Sequence, residues 1–116
     1  MAHASIEIDL PELPDAIRSR LVPHRAAKIE EGLRSLEYWH PGLFDAMQRT
    51  IALLESEPGI DSVTVDYDEE DALYPVTIWA HTSVSLDERE VLLPRLEDAT
   101  DALLERYPNL VLVAVL

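Results

Sequence analysis

The sequence predicts an α+β domain in which a small mixed sheet of three or four strands packs against N-terminal helices. Two runs that alternate between apolar and polar residues, 61–67 and 74–83, flank a short acidic tip and are typical of a β-hairpin. A capped amphipathic helix comes next, and the apolar run 110–116 follows it. Because two parallel strands need a crossover connection, this order predicts a crossover helix and a parallel C-terminal strand. The length of 116 residues suits one core, so we treat 1–116 as a single domain.

The N-terminal third of the chain predicts a short strand and two helices. Alternating apolar residues over 6–10 favour an edge strand, which Pro11 ends. A helix is expected to begin at Pro14 and to stop before Pro23, because proline fits the first helical position and cannot continue a helix. A second helix is expected from about 25 to 38, where apolar residues recur three or four positions apart. The predicted core-facing residues are Ile17 and Leu21 in the first helix and Ala26, Ile29, Leu33 and Leu36 in the second.

The middle of the chain predicts a third helix and then the hairpin. The helix is expected to begin at Pro41 and to end at the turn formed by Pro58 and Gly59. Its apolar residues repeat at helical spacing and are Leu43, Met47, Ile51 and Leu54. In the first strand, alternation places Val63, Val65 and Tyr67 on one face. In the second strand, Val76, Ile78 and Ala80 lie on one face, and Thr77, Trp79 and His81 lie on the other.

The C-terminal part of the chain predicts the crossover helix and the last strand. Ser85 and Glu88 have the spacing of a capping box, which marks a helix start. Pro94 is expected to kink or split this helix because it removes an amide donor and crowds the preceding turn. An unbroken apolar strand is usually covered on both faces, so 110–116 is expected at the centre of the sheet. The residues expected to face the core are Leu92, Leu96, Leu103 and Tyr107.

The composition bounds the functions that are open to the chain. With 9 basic and 23 acidic residues the formal net charge is −14, which disfavours nucleic acids and anionic membranes as partners. The acidity predicts either a solvated surface or a docking face for a basic protein partner. The chain has no cysteine, and neither an export signal nor an apolar run of about 20 residues is visible, so we expect a cytoplasmic protein without cofactors.

The acidic segment 66–71 is the first candidate site. Carboxylates two positions apart on a strand point the same way, so Asp66 and Asp68, with Glu70, are candidate ligands for Mg²⁺ or Mn²⁺. The order helix, strand, acidic turn, strand, helix, strand over about 43–116 resembles the minimal nucleotidyltransferase domains. That resemblance implies a catalytic metal held by two such carboxylates. The Gly-Ser pair that seats the triphosphate in that family is absent, and 65–68 stands in its place. The alternative interpretation of the segment is a solvated hairpin tip.

Two groups of aromatic and histidine residues are the other candidates. The first lies between the second and third helices and could be a docking site or a packed corner. Its members are Tyr38, Trp39, His40 and Phe44. The second consists of Trp79 and His81, which share the polar face of one strand and could line a ligand pocket or a subunit contact. A packed, hydrogen-bonded histidine is the alternative for His81.

These observations leave three functions open. The first is a non-enzymatic protein–protein interaction or regulatory module that forms a homodimer through a sheet edge or the aromatic corner, because unpaired edges are often joined across a two-fold axis. The αββαβ outline also resembles, in shape, the cytoplasmic dimerisation domain of cation-efflux transporters. The second is a degenerate nucleotidyltransferase-like enzyme or another metal-dependent phosphoryl-transfer enzyme. The third is an acidic decoy that inhibits a basic partner.

Overall fold

The computed structural model of the protein describes residues 9–70 and 73–116. Within these ranges the chain forms four α-helices, one short 3-10 turn at Pro23–Arg25 and three strands. The predicted α+β class is confirmed, with helices packed on a mixed sheet. The elements are α1 (Asp15–Arg18), α2 (Ala26–Trp39), α3 (Leu43–Glu55), β1 (Ser62–Tyr67), β2 (Val76–His81), α4 (Leu86–Leu104) and β3 (Val111–Val115).

The strands form one sheet in the order β1-β2-β3. β1 and β2 are antiparallel, with Val65 opposite Ile78. β2 and β3 are parallel, with Ile78 opposite Val113. The predicted hairpin and the parallel strand after a crossover helix are therefore confirmed.

The C-terminal strand lies at an edge of the sheet, whereas the sequence predicted a central strand covered on both faces. β2 is the central strand, and Leu112 and Leu116 remain 41% and 55% exposed. The prediction was wrong because it took an unbroken apolar run as evidence of burial on both faces. In β3 it is alternate residues, beginning with Val111, that turn toward the core.

The helices cover one face of the sheet and build the core with it. Burying an aliphatic side chain contributes about 1.5–3 kcal/mol relative to leaving it exposed, so this apolar face fixes the helices in place. Leu103, which was predicted to face the core, is half-buried, and Leu104 is buried beside it. The strand residues that face the helices, each at most 6% exposed, are Val63, Val65, Val76, Ile78, Ala80 and Val111.

The N-terminal segment departs from its prediction in two places. α1 is a single turn that ends at Arg18, so Leu21 does not belong to the helix on which the sequence placed it. Leu21 instead forms an isolated parallel bridge with Val65. Of the strand predicted over 6–10, residues 6–8 lie outside the described residues, and Asp9 and Leu10 belong to no strand.

α3 begins at a cap that the sequence did not reveal. Gly42 precedes the helix with a φ of 96°, in the left-handed region that favours glycine. The carboxylate of Glu37, from the end of α2, accepts hydrogen bonds from the amide nitrogens of Gly42 at 2.8 Å and Phe44 at 2.9 Å. These bonds satisfy amides at the helix start and place negative charge near the positive end of the helix dipole.

α4 begins at its predicted cap, where the Ser85 hydroxyl accepts a hydrogen bond from the Glu88 amide at 3.2 Å. Of the two effects predicted for Pro94, a kink or a split, the split is wrong, because α4 runs without a break past Pro94. Pro94 and Glu90, whose carbonyl loses its helical partner, are both exposed. Water can therefore bind that carbonyl, which lets the helix continue.

Candidate functional site

The face of the sheet that points away from the helices is the candidate binding surface. Its side chains alternate along each strand with the buried ones, and in the part of the chain that the structure describes none of its apolar members packs against the core. The register brings Thr64, Trp79 and Ala114 into one row across the three strands. We call this surface the open face, and it consists of Ser62, Thr64, Asp66, Thr77, Trp79, His81, Leu112, Ala114 and Leu116.

The open face carries little charge. Trp79 lies on the central strand, and Leu112 and Leu116 extend its apolar area to the outer edge of β3. Asp66 is the one carboxylate side chain among these positions, and its Oδ2 atom pairs with Nη1 of Arg25 at 3.2 Å. Because the chain as a whole has a formal net charge of −14, the open face differs in charge from the rest of the molecule.

Trp79 and His81 lie on the same face of β2, as the sequence predicted. The Nε2 atom of His81 is 2.9 Å from the Oγ1 atom of Thr64 on the neighbouring strand. This hydrogen bond holds the imidazole against the hairpin and orients it within the open face. The histidine therefore contributes an oriented polar group to the face of β2 that carries Trp79.

The two outer edges of the sheet differ in how they are covered. At the β1 edge, the amide of Val65 donates to the carbonyl of Arg20 at 2.8 Å, and the amide of Val22 donates to the carbonyl of Val65 at 3.1 Å. At the β3 edge no described strand pairs with the chain. This asymmetry could not be predicted from the sequence, because the bridging residues lie about 40 positions before β1 and carry no strand pattern.

The aromatic corner at the end of α2 is partly exposed. Trp39 is 69% exposed and Tyr38 41%, and their rings meet edge to face with centroids 5.0 Å apart. His40 is also exposed. Phe44, which the sequence grouped with them, is 5% exposed and belongs to the core. The corner therefore offers an aromatic pair to solvent.

The candidate metal ligands at the hairpin tip have local hydrogen-bond partners. Asp66 pairs with Arg25, as described above, and its Oδ1 atom accepts a bond from the Tyr67 amide at 2.8 Å. Asp68 accepts a bond from the Glu70 amide at 2.9 Å. Over 9–70 and 73–116 no three such side chains converge in a way that could hold a metal ion. The last residue of the predicted acidic segment, at position 71, lies outside the described residues.

A cavity of about 640 Å³ separates this tip from α2. Two basic side chains, Arg25 and Lys28, line it, and acidic side chains outnumber them. The acidic residues are Glu31, Asp68, Glu69 and Glu70. Tyr67 also lines it, and partial burial, with Glu69 and Asp68 nearby, raises the pKa of the Tyr67 hydroxyl above its usual value.

Comparisons with protein-family models, with curated proteins and with solved structures give no significant match to this chain. In the described part of the chain, no helix has the length and apolar character needed to cross a membrane. Within the described residues, the apolar side chains of the open face do not pack against the core, and no strand pairs with the outer edge of β3, which we call the free edge.

Proposed function

We propose that this protein is a non-enzymatic interaction module that forms a homodimer by packing the open faces of two copies against each other. The observation that supports this proposal is the group of apolar side chains, Trp79, Leu112 and Leu116, which do not pack against the core that the described residues form. Unpartnered apolar area of this kind marks contact sites on many proteins. Aromatic residues such as Trp79 commonly provide the energetic centre of an interface.

Electrostatics favours this face as the place where two copies meet. Two chains that each carry a net charge of −14 repel each other over most of their surfaces. On the open face the single carboxylate side chain, Asp66, is paired with Arg25, so close approach there brings together no unpaired carboxylate side chain of this face. Two sheets packed face to face at a spacing of about 10 Å would bury the apolar side chains of both copies.

This contact differs from the sheet edge and the aromatic corner that the sequence suggested for dimerisation. The corner has an exposed pair, Tyr38 and Trp39, but its apolar area is confined to these two rings. The open face combines residues from three strands in fixed register and thus offers a broader and more rigid surface. A regulatory role would follow if dimerisation controlled a partner that binds elsewhere on the molecule.

The test compares two substitutions that add the same charge at different exposed leucines. Leu112→Glu places a carboxylate on the open face, whereas Leu86→Glu places one at the start of α4, where Leu86 is 76% exposed. Light scattering after gel filtration should give wild type and the Leu86→Glu variant a mass near twice 13.1 kDa. The Leu112→Glu variant should elute as a monomer with an unchanged circular dichroism spectrum.

Two outcomes would overturn the proposal. One is a wild-type protein that stays monomeric at the highest concentrations tested. The other is a dimer that survives Leu112→Glu as well as it survives Leu86→Glu, because a carboxylate buried without a partner in a sheet-to-sheet interface is strongly unfavourable.

A further inference from the structure

The free edge of β3 is a second surface that the open-face dimer does not use. In the β2–β3 pair the amide of Val76 donates to the carbonyl of Leu110, and the amide of Leu116 donates to the carbonyl of Ala80. Residues at even positions of the last strand therefore bond to β2. The backbone groups of Val111, Val113 and Val115 consequently point outward, where no described strand accepts or donates to them.

A groove of about 360 Å³ runs between this edge and the C-terminal half of α4. One side of it is formed by Val111 and Val113 of β3. The other side carries three exposed carboxylates, none of which forms a salt bridge with a described residue. We call them the acidic stripe, and they are Glu97, Asp101 and Glu105.

The spacing of the carboxylates in the acidic stripe is close to the spacing of side chains on one face of a β-strand. Its residues are four positions apart on α4, which corresponds to a rise of about 6 Å between neighbours. Side chains on one face of a strand repeat every two residues, at about 6.6–6.8 Å. A strand added beside β3 could thus place a basic side chain near each carboxylate of the stripe, while its other side chains would extend the open face next to Leu112 and Ala114.

A second copy of this chain fits the edge poorly. Antiparallel pairing of β3 with β3 of another copy would put both α4 helices on the same side of the joined sheet. Their acidic stripes would then face each other, and like charges brought together across an interface oppose association.

We propose that the β3 edge captures an extended segment of a partner protein in which basic residues alternate with apolar ones. The segment pairs with the outward backbone groups of β3, which gives affinity, and its basic side chains contact the acidic stripe, which gives selectivity. This surface is distinct from the open face, so the proposal does not depend on the dimer.

The test measures fluorescence anisotropy with a labelled nonapeptide in which lysine and valine alternate. An isomer with the same composition but contiguous lysines serves as the peptide control. One triple variant, Glu97→Gln with Asp101→Asn and Glu105→Gln, neutralises the stripe. A matched triple, Glu31→Gln with Asp61→Asn and Glu69→Gln, has the same net charge and changes exposed carboxylates away from the groove. Val113→Pro removes an outward amide donor from the edge, and Val113→Ala keeps it.

The wild-type protein should bind the alternating peptide at least about tenfold more tightly than the isomer. The stripe triple and Val113→Pro should each weaken this binding about tenfold or more, and both controls should stay within about threefold. Equal binding of the two peptides, equal loss from the two triples, or no response to Val113→Pro would each overturn the proposal. Because the stripe triple leaves the backbone of β3 untouched, it decides the question even if Val113→Pro prevents folding. A monomeric wild type that still binds the peptide selectively would refute the open-face dimer and leave this inference standing.

Discussion

Leu21 forms a parallel bridge with Val65 and thereby closes the β1 edge of the sheet. The segment around Leu21 is held against α3 by Arg20, whose Nε and Nη2 atoms donate to both carboxylate oxygens of Glu55 at 2.6 and 2.7 Å. A bidentate pair of this kind adds geometric precision as well as energy. Among the described residues, β3 is the edge strand that has no strand or bridge on its outer side, and we therefore assign contact by strand pairing to β3.

The first prediction concerns the pair that holds this bridge. Glu55→Gln removes the charge that Arg20 meets, and this hydrogen bond is also the main cause of the raised pKa of Arg20. Both side chains are partly exposed, so the expected loss of unfolding free energy is only about 0.5–1 kcal/mol. Urea unfolding of the Glu55→Gln variant measures this loss of unfolding free energy. The control is Glu31→Gln, which changes an exposed side chain. Equal stability of the two variants would show that the pair does not hold the segment.

The second prediction concerns the cap of α3. Glu37→Ala removes the acceptor for the amides of Gly42 and Phe44 and should lower the free energy of unfolding by about 1–2 kcal/mol. Glu31→Ala, on the same helix and exposed, should change stability by less than about 0.5 kcal/mol. Chemical denaturation of both variants gives the comparison. A loss for Glu31→Ala as large as that for Glu37→Ala would contradict the capping role.

The third prediction concerns Gly42 itself. Gly42 has a φ of 96°, so Gly42→Ala forces a residue with a side chain into the left-handed region. The new methyl carbon would also lie 2.6 Å from the Tyr107 hydroxyl oxygen. We expect a cost of about 1–3 kcal/mol in thermal unfolding. Adding Tyr107→Phe removes the atom that clashes, together with the hydrogen bond that this hydroxyl donates to the Pro41 carbonyl at 2.9 Å. The double variant should therefore lose less stability than the sum of the losses in the two single variants. Full stability of the single variant Gly42→Ala would contradict this account.

The fourth prediction concerns stability at high pH. Partial burial, and then the charges of Glu69 and Asp68, raise the pKa of Tyr67 in the folded state. The unfolded chain therefore loses this proton first, and the stability that Tyr67 contributes is present below its unfolded pKa and is lost as pH rises through the folded value. Thermal melts of wild type and Tyr67→Phe between pH 8 and about 11 should diverge at the upper end, with the wild type losing more stability. Parallel curves would contradict the shift.

Much of the fold could be predicted from local patterns, because those patterns record local physics. Period-two alternation identified β1 and β2, and the spacing of Ser85 and Glu88 identified the start of α4. The position of β3 at an edge could not be predicted, since strand order depends on which surface the helices cover. The closure of β1 by Leu21 depends likewise on a contact between distant parts of the chain.

The candidate site was predicted in part. Alternation alone placed Trp79 and His81 on one face of β2, and the structure confirms that they share it. Sequence could not join them to Leu112 and Leu116, because this requires the parallel register of β2 and β3. The sequence grouped Phe44 with Trp39, but Phe44 is buried in the core and Trp39 is exposed. Residues that are close in sequence at a helix corner can face the core or the solvent, and sequence proximity does not distinguish the two.

The open-face dimer can be tested most directly through the two tryptophans, Trp39 and Trp79. In a Trp39→Phe variant the only tryptophan is Trp79, on the open face, and in a Trp79→Phe variant it is Trp39, in the aromatic corner. Acrylamide quenching of Trp79 should fall as protein concentration rises, whereas quenching of Trp39 should stay constant. Quenching of Trp79 that is independent of concentration, or protection of Trp39 instead, would contradict a dimer formed through the open face.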